Sequence, residues 1–249
     1  MDWLEKGLKG KRAVLVGLGR SSVAAARLLL REGAEPFITE SADGDRFAPF
    51  KQACDALGVR YETGGHGDSV FESADLIVPS PGVPAALAPL EAARRRGVPV
   101  AGELELAARF CASPMLAVTG TNGKTTVTEL LRCMVEACGK SAALAGNNDT
   151  PLSEVALLPE PPDWAVVEVS SYQMETADRF HPRVAAVLNV TPDHLKRHGT
   201  MEAYAAMKAR VFARQGAGDA AVLNAADPRV AALPVPEGVR RVPFSAAGP

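Results

Sequence analysis

Short apolar runs and longer amphipathic segments alternate along the first hundred residues of the chain. The short runs predict buried strands, and the longer segments predict helices that cover them. The predicted strands are 13–16, 36–39, 76–78 and 98–101. The predicted helices are 22–31, 47–57 and 87–96. Strands separated by helices indicate a parallel sheet with helices on both faces.

The same alternation resumes after residues 108–114, where we place a domain boundary. The predicted strands of the second part are 115–118, 164–169, 184–190 and 220–224. Its predicted helices are 127–138 and 202–214. We therefore expect an α/β protein with two domains, 1–110 and 111–249.

Composition narrows the class of protein. The formal net charge is −2, with 47% hydrophobic and 22% charged residues, which fits a globular protein without a nucleic-acid partner. The four cysteines contain no CxxC pair, so we expect reduced thiols in a reducing compartment. No segment has the length of a membrane span or the apolar core of a signal peptide, which predicts a cytoplasmic protein.

The strongest chemical signal is the segment GTNGKTT between a predicted strand and a predicted helix. Small residues let backbone N–H groups approach phosphate oxygens, and the helix N-terminus favours anions. Lys124 can place a positive charge near the β- and γ-phosphates, and the Thr125 hydroxyl can hold Mg²⁺. The general phosphate-loop pattern requires glycine at the position of Val118, so a tight turn with an incidental lysine stays open as an alternative.

Two polar side chains follow predicted strands of the second domain. Glu168 lies at the carboxyl end of one strand, and His194 follows the next strand through a short loop. Open α/β sheets bind ligands at this edge, so the pair can hold a cation between neighbouring strands. Histidine is unusual on Mg²⁺, and from the residues alone His194 can equally be a helix cap or a core residue.

The first domain opens with a second glycine turn, Gly17-Leu18-Gly19, between a strand and a helix. Ser22 stands in place of the third glycine of the dinucleotide pattern, and Glu40 lies about where a ribose-binding acid sits. By pattern alone, an NAD(P)-dependent oxidoreductase is an alternative. The helix N-terminus at 21–23 can also bind a diphosphate.

Three ordered motifs resemble one family over nearly the whole chain. The GTNGKTT loop resembles the ATP loop of the Mur ligases and of the related folylpolyglutamate synthases. The segments EVSSYQ at 168–173 and LNVTPDHLKRHGTME at 188–202 resemble motifs of the D-glutamate-adding Mur ligases. The resemblance implies a Rossmann-like domain over 1–110 that binds the UDP part of the substrate. It implies a P-loop-type α/β ATPase domain over 111–249.

The resemblance also implies the reaction. Members of this kind use ATP and Mg²⁺ to join D-glutamate to UDP-N-acetylmuramoyl-L-alanine through an acyl phosphate, in peptidoglycan precursor synthesis. We expect a monomer whose partners are these small molecules, without nucleic acid or membrane. The family has a third, C-terminal domain for D-glutamate, which this sequence lacks, so we expect a binding fragment. A non-catalytic nucleotide-binding protein stays a further alternative.

Residue roles are carried over from the matching positions. The resemblance assigns catalysis to Lys124, Glu168, His194 and Lys208. It assigns metal binding to Thr125, Glu168 and His194. The ATP-binding positions are Gly120, Thr121, Asn122, Gly123, Lys124, Thr125 and Thr126. The UDP-sugar positions are Arg20, Ser21, Glu40, Ser41, Gly82, Asn147 and Ser170.

One role and three departures from the motifs depend on the structure. In the family, the lysine matching Lys208 is carbamylated by CO₂ and helps hold the metal; the alternative is an ordinary exposed helix lysine. Asn148 and Asp149 replace an apolar residue and a glycine, and Lys196 replaces an aspartate. These departures put the loop geometry and the charge near the site in question.

Overall fold

A computed structural model of the chain describes residues 4, 5, 7–67, 69–148 and 150–245. The chain forms two compact units. Unit 1 comprises residues 1–110 with 176–178, and unit 2 comprises 111–175 with 179–249. In the described part of the chain, no helix combines the length and the apolar composition that a membrane crossing requires.

Unit 1 is built on a four-stranded parallel sheet covered by helices. Its strands are β1 (Arg12–Val16), β2 (Glu35–Glu40), β3 (Arg60–Thr63) and β4 (Leu76–Pro79), in the order β3-β2-β1-β4. Its helices are α1 (Arg20–Arg31), α2 (Ala48–Leu57), α3 (Ala88–Arg95) and α4 (Glu103–Ala108). The central strand β1 is apolar on both faces because helices cover both, as expected for a parallel sheet.

Unit 2 contains a larger sheet of the same kind. Its strands are β5 (Met115–Thr119), β6 (Ala142–Gly146), β7 (Trp164–Glu168), β8 (Val184–Val187), β9 (Ala220–Asn224) and β10 (Arg240–Phe244). The order is β10-β9-β8-β5-β7-β6, and all described pairings are parallel. Its helices are α5 (Lys124–Ala137), α6 (Leu152–Ala156), α7 (Ser171–Met174), α8 (Leu195–His198), α9 (Met201–Ala209) and α10 (Pro228–Ala231).

The predicted fold class, α/β with parallel sheets, is confirmed, and several element boundaries are wrong. Helix α5 begins at Lys124 instead of 127, and α9 ends at Ala209 instead of 214. Strand β8 ends at Val187, and the predicted strand 98–101 forms only a single bridge between Val100 and Ile77. Strand β3 escaped prediction because its side chains are polar and partly exposed, which is typical of an edge strand.

Candidate functional site

The predicted phosphate loop connects the buried strand β5 to the N-terminus of α5. Gly123 takes a left-handed conformation (φ +83°) immediately before the helix, so the turn is tight. None of the helix's first residues is acidic, and no side chain caps its N-terminal amides. These amides are therefore available to an anionic ligand at the positive end of the helix dipole.

Asn189 holds this loop in shape. Its side-chain Oδ1 accepts a hydrogen bond from Asn122 N at 2.9 Å, and its Nδ2 donates to Asn122 O at 3.0 Å. Its carbonyl accepts from Thr121 N at 3.0 Å. Sequence reasoning gave Asn189 no role. The predicted strand 184–190 included Asn189, whereas β8 ends at Val187 and leaves Asn189 just beyond the strand's carboxyl end, where ligand-binding residues of such sheets lie.

Glu168 and Thr125 meet at the end of β7. The Thr125 hydroxyl donates to Glu168 Oε2 at 2.7 Å, and Asn147 Nδ2 donates to Glu168 Oε1 at 2.9 Å. Gly146 lies so close to the backbone carbonyl of Glu168 that a Cβ atom there would overlap it, and its φ is +106°. Two oxygen ligands suited to Mg²⁺ therefore lie together beside the loop.

His194 enters the site from the opposite side of the loop strand. The prediction that its strand neighbours the strand of Glu168 is wrong, because β5 lies between β7 and β8. In a doubly wound sheet, strands that are consecutive in the sequence need not be neighbours in the sheet. The carboxylate and the imidazole thus come from strands that flank the phosphate loop.

Lys208 is buried, which excludes the alternative of an exposed helix lysine. The residue is 1% exposed, and Nζ donates to Gly120 O at 2.8 Å. Lys124 Nζ donates to the same carbonyl at 3.1 Å and to Thr121 O at 2.9 Å. Burial, with the nearby positive charge of Lys124, lowers the pKa of Lys208 to about 7, although Asp193 opposes the shift.

This shift predicts a pH dependence of stability. Lys208 releases its proton near pH 7 in the folded chain and near its ordinary value of 10.5 when unfolded. The unfolded state binds more protons between these values, so the free energy of unfolding rises with pH there, by at most about 1.4 kcal/mol per unit.

Urea denaturation of the chain at several pH values in this window measures the slope. Lys208→Met is expected to lose this contribution, whereas Lys140→Met, at an exposed lysine paired with Asp163, keeps it. Equal slopes in the wild type and in Lys208→Met would contradict the assignment.

The loop and its neighbours enclose a pocket of about 270 Å³. Its lining residues are Gly120, Thr121, Lys124, Asn147, Ser170, Ser171, Tyr172, His194, Tyr204 and Lys208. Six of the predicted site residues of unit 2 besides Lys208 thus share one cavity. Glu168 is buried, with 3% of its surface exposed, and contacts the pocket residue Asn147 by a hydrogen bond. Exposed positions on the loop and the first turn of α5 are occupied by Asn122, Thr125 and Thr126.

The sequence analysis assigned no role to three side chains that line this pocket, those of Ser171, Tyr172 and Tyr204. The Tyr204 hydroxyl lies 3.3 Å from Thr121 Oγ1, and its ring lies 4.4 Å from Lys208 Nζ. The Tyr172 ring lies 4.9 Å from the His194 ring. Ser171 Oγ lies 3.0 Å from His198 Nε2. The sequence motifs could have indicated them, because Ser171 and Tyr172 lie within the segment 168–173 and Tyr204 lies just after the segment 188–202.

Two of the three departures fall on described residues. Asn148 is half-buried, and its Oδ1 accepts a hydrogen bond from Thr150 N at 3.2 Å, which shapes its own turn. Lys196 is exposed on α8. Asp149 lies outside the described residues.

Unit 1 holds a second pocket at the carboxyl edge of its sheet, of about 350 Å³. Its lining residues are Gly17, Leu18, Gly19, Arg20, Ser21, Glu40, Ser80, Gly82 and Val83. Gly17 (φ +100°) approaches Ser80 so closely that a Cβ would lie 2.8 Å from the serine hydroxyl. Arg20, Ser21, Glu40 and Gly82 are thus brought together. Asn147 and Ser170, predicted for the same substrate, belong to unit 2.

Glu40 is fixed at this edge by its hydrogen bonds. Oε2 accepts from Leu18 N at 3.0 Å, and Oε1 accepts from Ala42 N at 2.9 Å and from Ser41 Oγ at 3.2 Å. Partial burial raises the pKa of Glu40, but these bonds, led by Ala42 and Leu18, outweigh burial and lower it overall. The carboxylate therefore orders the glycine turn as an anion.

The parallel sheet and the loop between β5 and α5 define unit 2 as a P-loop-type nucleotide-binding domain. Family models agree with both units: residues 118–248 match the Mur ligase middle domain, and residues 11–102 match the MurD-like N-terminal domain of Mur ligases. The chain belongs to the Mur ligase family.

Two curated relatives share about half of their aligned residues with the chain. The UDP-N-acetylmuramoylalanine–D-glutamate ligase of Desulfosudis oleivorans is 49% identical over 93% of this chain and 50% of its own length. That of Anaeromyxobacter dehalogenans is 52% identical over 91% and 49%. The chain spans about half the length of the curated relatives it matches.

A solved structure supports the fold. The UDP-N-acetylmuramate:L-alanyl-gamma-D-glutamyl-meso-diaminopimelate ligase of Neisseria meningitides superposes with a TM-score of 0.64 at 17% identity, covering 94% of this chain and 78% of that one. The alternative of an NAD(P)-dependent oxidoreductase finds no support, because the segment with the glycine turn matches the ligase N-terminal domain.

Proposed function

We propose that this chain supplies the ATP-binding and UDP-substrate-binding units of a cytoplasmic ligase that joins D-glutamate to UDP-N-acetylmuramoyl-L-alanine for the peptidoglycan precursor. The observation that carries the proposal is the position of Lys208. A lysine more than eighty residues beyond the phosphate loop is buried on the carbonyl of the loop's first residue, together with Lys124. The assignment of D-glutamate as the added amino acid is supported by the names of the two relatives, which are 49% and 52% identical to the chain.

The proposed reaction activates a carboxylate in two steps. A carboxylate oxygen of the UDP-substrate attacks the γ-phosphorus of ATP, and the bond to the bridging oxygen breaks to release ADP. The D-glutamate nitrogen then bonds to the acyl carbon, the bond to phosphate breaks, and the amine releases a proton to solvent. The backbone amides of residues 123–126, at the start of α5, and the charge of Lys124 stabilise the negative charge that develops on phosphate oxygens.

The residues present fit the Mg²⁺ that this reaction implies. Thr125 and Glu168 offer hydroxyl and carboxylate oxygens 2.7 Å apart, and His194 lines the same pocket as Lys124. Among the described residues, no three His, Cys, Asp or Glu side chains converge as a metal cluster. Mg²⁺ commonly takes one or two protein ligands and completes its shell with water and phosphate, so it would supply charge neutralisation here.

Lys208 has the chemistry for carbamylation. With a pKa lowered to about 7, a large fraction of its amines is neutral at physiological pH. A neutral amine attacks CO₂, forms an N–C bond and loses a proton, which leaves an anionic carbamate. Such a group would relieve the repulsion between Lys208 and Lys124 and add an oxygen ligand for a cation.

Unit 1 is proposed to bind the UDP part of the substrate in its pocket. The N-terminus of the twelve-residue α1 and the turn at Gly17 face the same cavity as Arg20 and Ser21. Helix amides and a guanidinium are suited to a diphosphate. Ser41, bonded to Glu40, lies beside the pocket as a further contact.

Titration of UDP, with NAD as the comparison ligand, tests the ligand proposed for this pocket. UDP is expected to bind and NAD is not. Glu40→Gln should weaken UDP binding about tenfold, because the amide would disturb the bonds that order the turn. Glu72→Gln, at an exposed position of the same unit, is the control. Tighter binding of NAD than of UDP would overturn the assignment.

The ligation itself is tested in a protein that continues this chain with the C-terminal half of a curated relative. Phosphate release should require ATP, UDP-N-acetylmuramoyl-L-alanine and D-glutamate together. Release that is equally fast with L-glutamate or without the UDP-substrate would refute the proposal. We propose a monomer with these small-molecule partners, without nucleic acid or membrane, which light scattering with and without the substrates examines.

A further inference from the structure

His194 has an unusual backbone conformation. Its φ and ψ are +53° and +22°, and it is the one non-glycine residue with positive φ in the described part of the chain. Side chains with a Cβ avoid this region, and such strain persists only where the surroundings fix it. The strain falls on the residue whose imidazole lines the pocket beside the phosphate loop.

An ion pair next to His194 supplies such a constraint. The Arg197 guanidinium donates to Glu175 in two parallel bonds, Nε to Oε1 at 2.9 Å and Nη2 to Oε2 at 2.7 Å. Both side chains are largely buried, with 20% and 11% of their surface exposed. Paired bonds of this kind fix orientation as well as distance.

The Glu175–Arg197 ion pair is connected to His194 in two ways, through the backbone of Arg197 and through the side chain of Tyr172. Through the backbone, Arg197 N donates to the His194 carbonyl at 2.9 Å and so closes the turn that holds the left-handed residue. Through side chains, the guanidinium carbon lies 5.0 Å from the centre of the Tyr172 ring, whose centre lies 4.9 Å from that of the imidazole. Glu175 follows α7 and Arg197 belongs to α8, so the pair joins the two segments that carry Tyr172 and His194.

We propose that Glu175 and Arg197 are positioning residues that hold the His194 imidazole in the pocket beside the phosphate loop. The inference rests on the proposed function, in which His194 acts on a nucleotide-bound cation. Neither residue lines the pocket. Their effect on ligand binding therefore has to pass through residues that do line it, Tyr172 or His194. A His194→Ala background separates the route that ends at His194 from one that ends at Tyr172.

The test uses the whole 249-residue chain and two readouts. The first is the affinity for ADP with Mg²⁺ divided by the affinity in EDTA. The second is NMR of His194, through its backbone HN–Hα coupling and Cα shift, measured without nucleotide. The variants are Arg197→Gln, Glu175→Gln and Arg197→Lys, each made alone and in a His194→Ala background.

Arg197→Gln and Glu175→Gln are expected to lower the Mg²⁺-dependent affinity ratio about tenfold and to shift the His194 coupling. In the His194→Ala background they should change the ratio no further. Arg197→Lys keeps the charge without the paired bonds, so it should fall between these variants and the wild type. Arg132→Gln, which removes an exposed pair with Glu136 on α5, should leave both readouts unchanged.

Three results would overturn the inference: an unchanged His194 coupling in Arg197→Gln, an unchanged ratio, or an equal loss in the His194→Ala background. Where a glutamine variant fails to fold, Arg197→Lys and its coupling decide. If the wild type bound ADP without any dependence on Mg²⁺, the proposed function would fail. The coupling measured without nucleotide would still decide whether the ion pair positions His194.

Discussion

Lys124→Ala is expected to weaken MgATP binding to the chain by roughly a hundredfold, or about 2–3 kcal/mol. Lys124 is the first residue of α5 and lies on the carbonyls of Gly120 and Thr121, so its ammonium is at the loop that we assign to phosphate. A charge-assisted contact to phosphate within a partly enclosed pocket is worth more than an exposed ion pair. Isothermal titration of MgATP measures the change.

The matched control for this prediction is Lys140→Ala. Lys140 belongs to the same unit and carries the same charge, but its side chain is 59% exposed and pairs with Asp163 on the surface. It should bind MgATP like the wild type. Equal affinities of Lys124→Ala and the wild type for MgATP would contradict the assignment of phosphate binding to this loop. An equal loss of affinity in Lys140→Ala would show that the effect comes from net charge alone.

Lys208→Ala is expected to abolish ligation, by about a thousandfold or more, in a protein extended to the length of the relatives. The reason is the loss of the anionic carbamate that we propose on Lys208, in the pocket beside the phosphate loop. Added carbonate should not restore the rate, because the amine is gone, whereas a short carboxylate such as acetate should restore part of it.

The modification itself can be observed in the chain. After equilibration with ¹³C-labelled carbonate, NMR should show one carbamate signal that is missing in Lys208→Met and retained in Lys140→Met. Wild-type ligation by Lys208→Ala, or a carbamate signal that survives in Lys208→Met, would contradict the role.

Local patterns predicted the loop and most strands because those signals are contained in a few neighbouring residues. The turn GTNGKTT, the apolar run of β5 and the start of α5 are continuous in sequence, and the motif places Lys124 directly. The edge strand β3 has no such signal, because the side chains of Arg60 to Thr63 are mostly polar and partly exposed. Its pairing with β2 depends on tertiary contact.

The arrangement of the site depended on information that spacing does not contain. The position of β5 between β7 and β8 decides that Glu168 and His194 flank the loop. The burial of Lys208 on Gly120 depends on how α9 packs, because the sequence of α9, MEAYAAMKA, is mostly apolar and does not indicate which face is buried. The resemblance to Mur ligases named these residues, and the structure supplies the physical reason for grouping them.

The most direct test of the central claim is a crystal structure of the chain with Mg²⁺ and a non-hydrolysable ATP analogue. We predict phosphate oxygens on the backbone amides of residues 123–126 and near Lys124, with the cation beside Thr125 and Glu168. A nucleotide bound at the Gly17 turn of unit 1, or a cation bound away from Thr125 and Glu168, would contradict it.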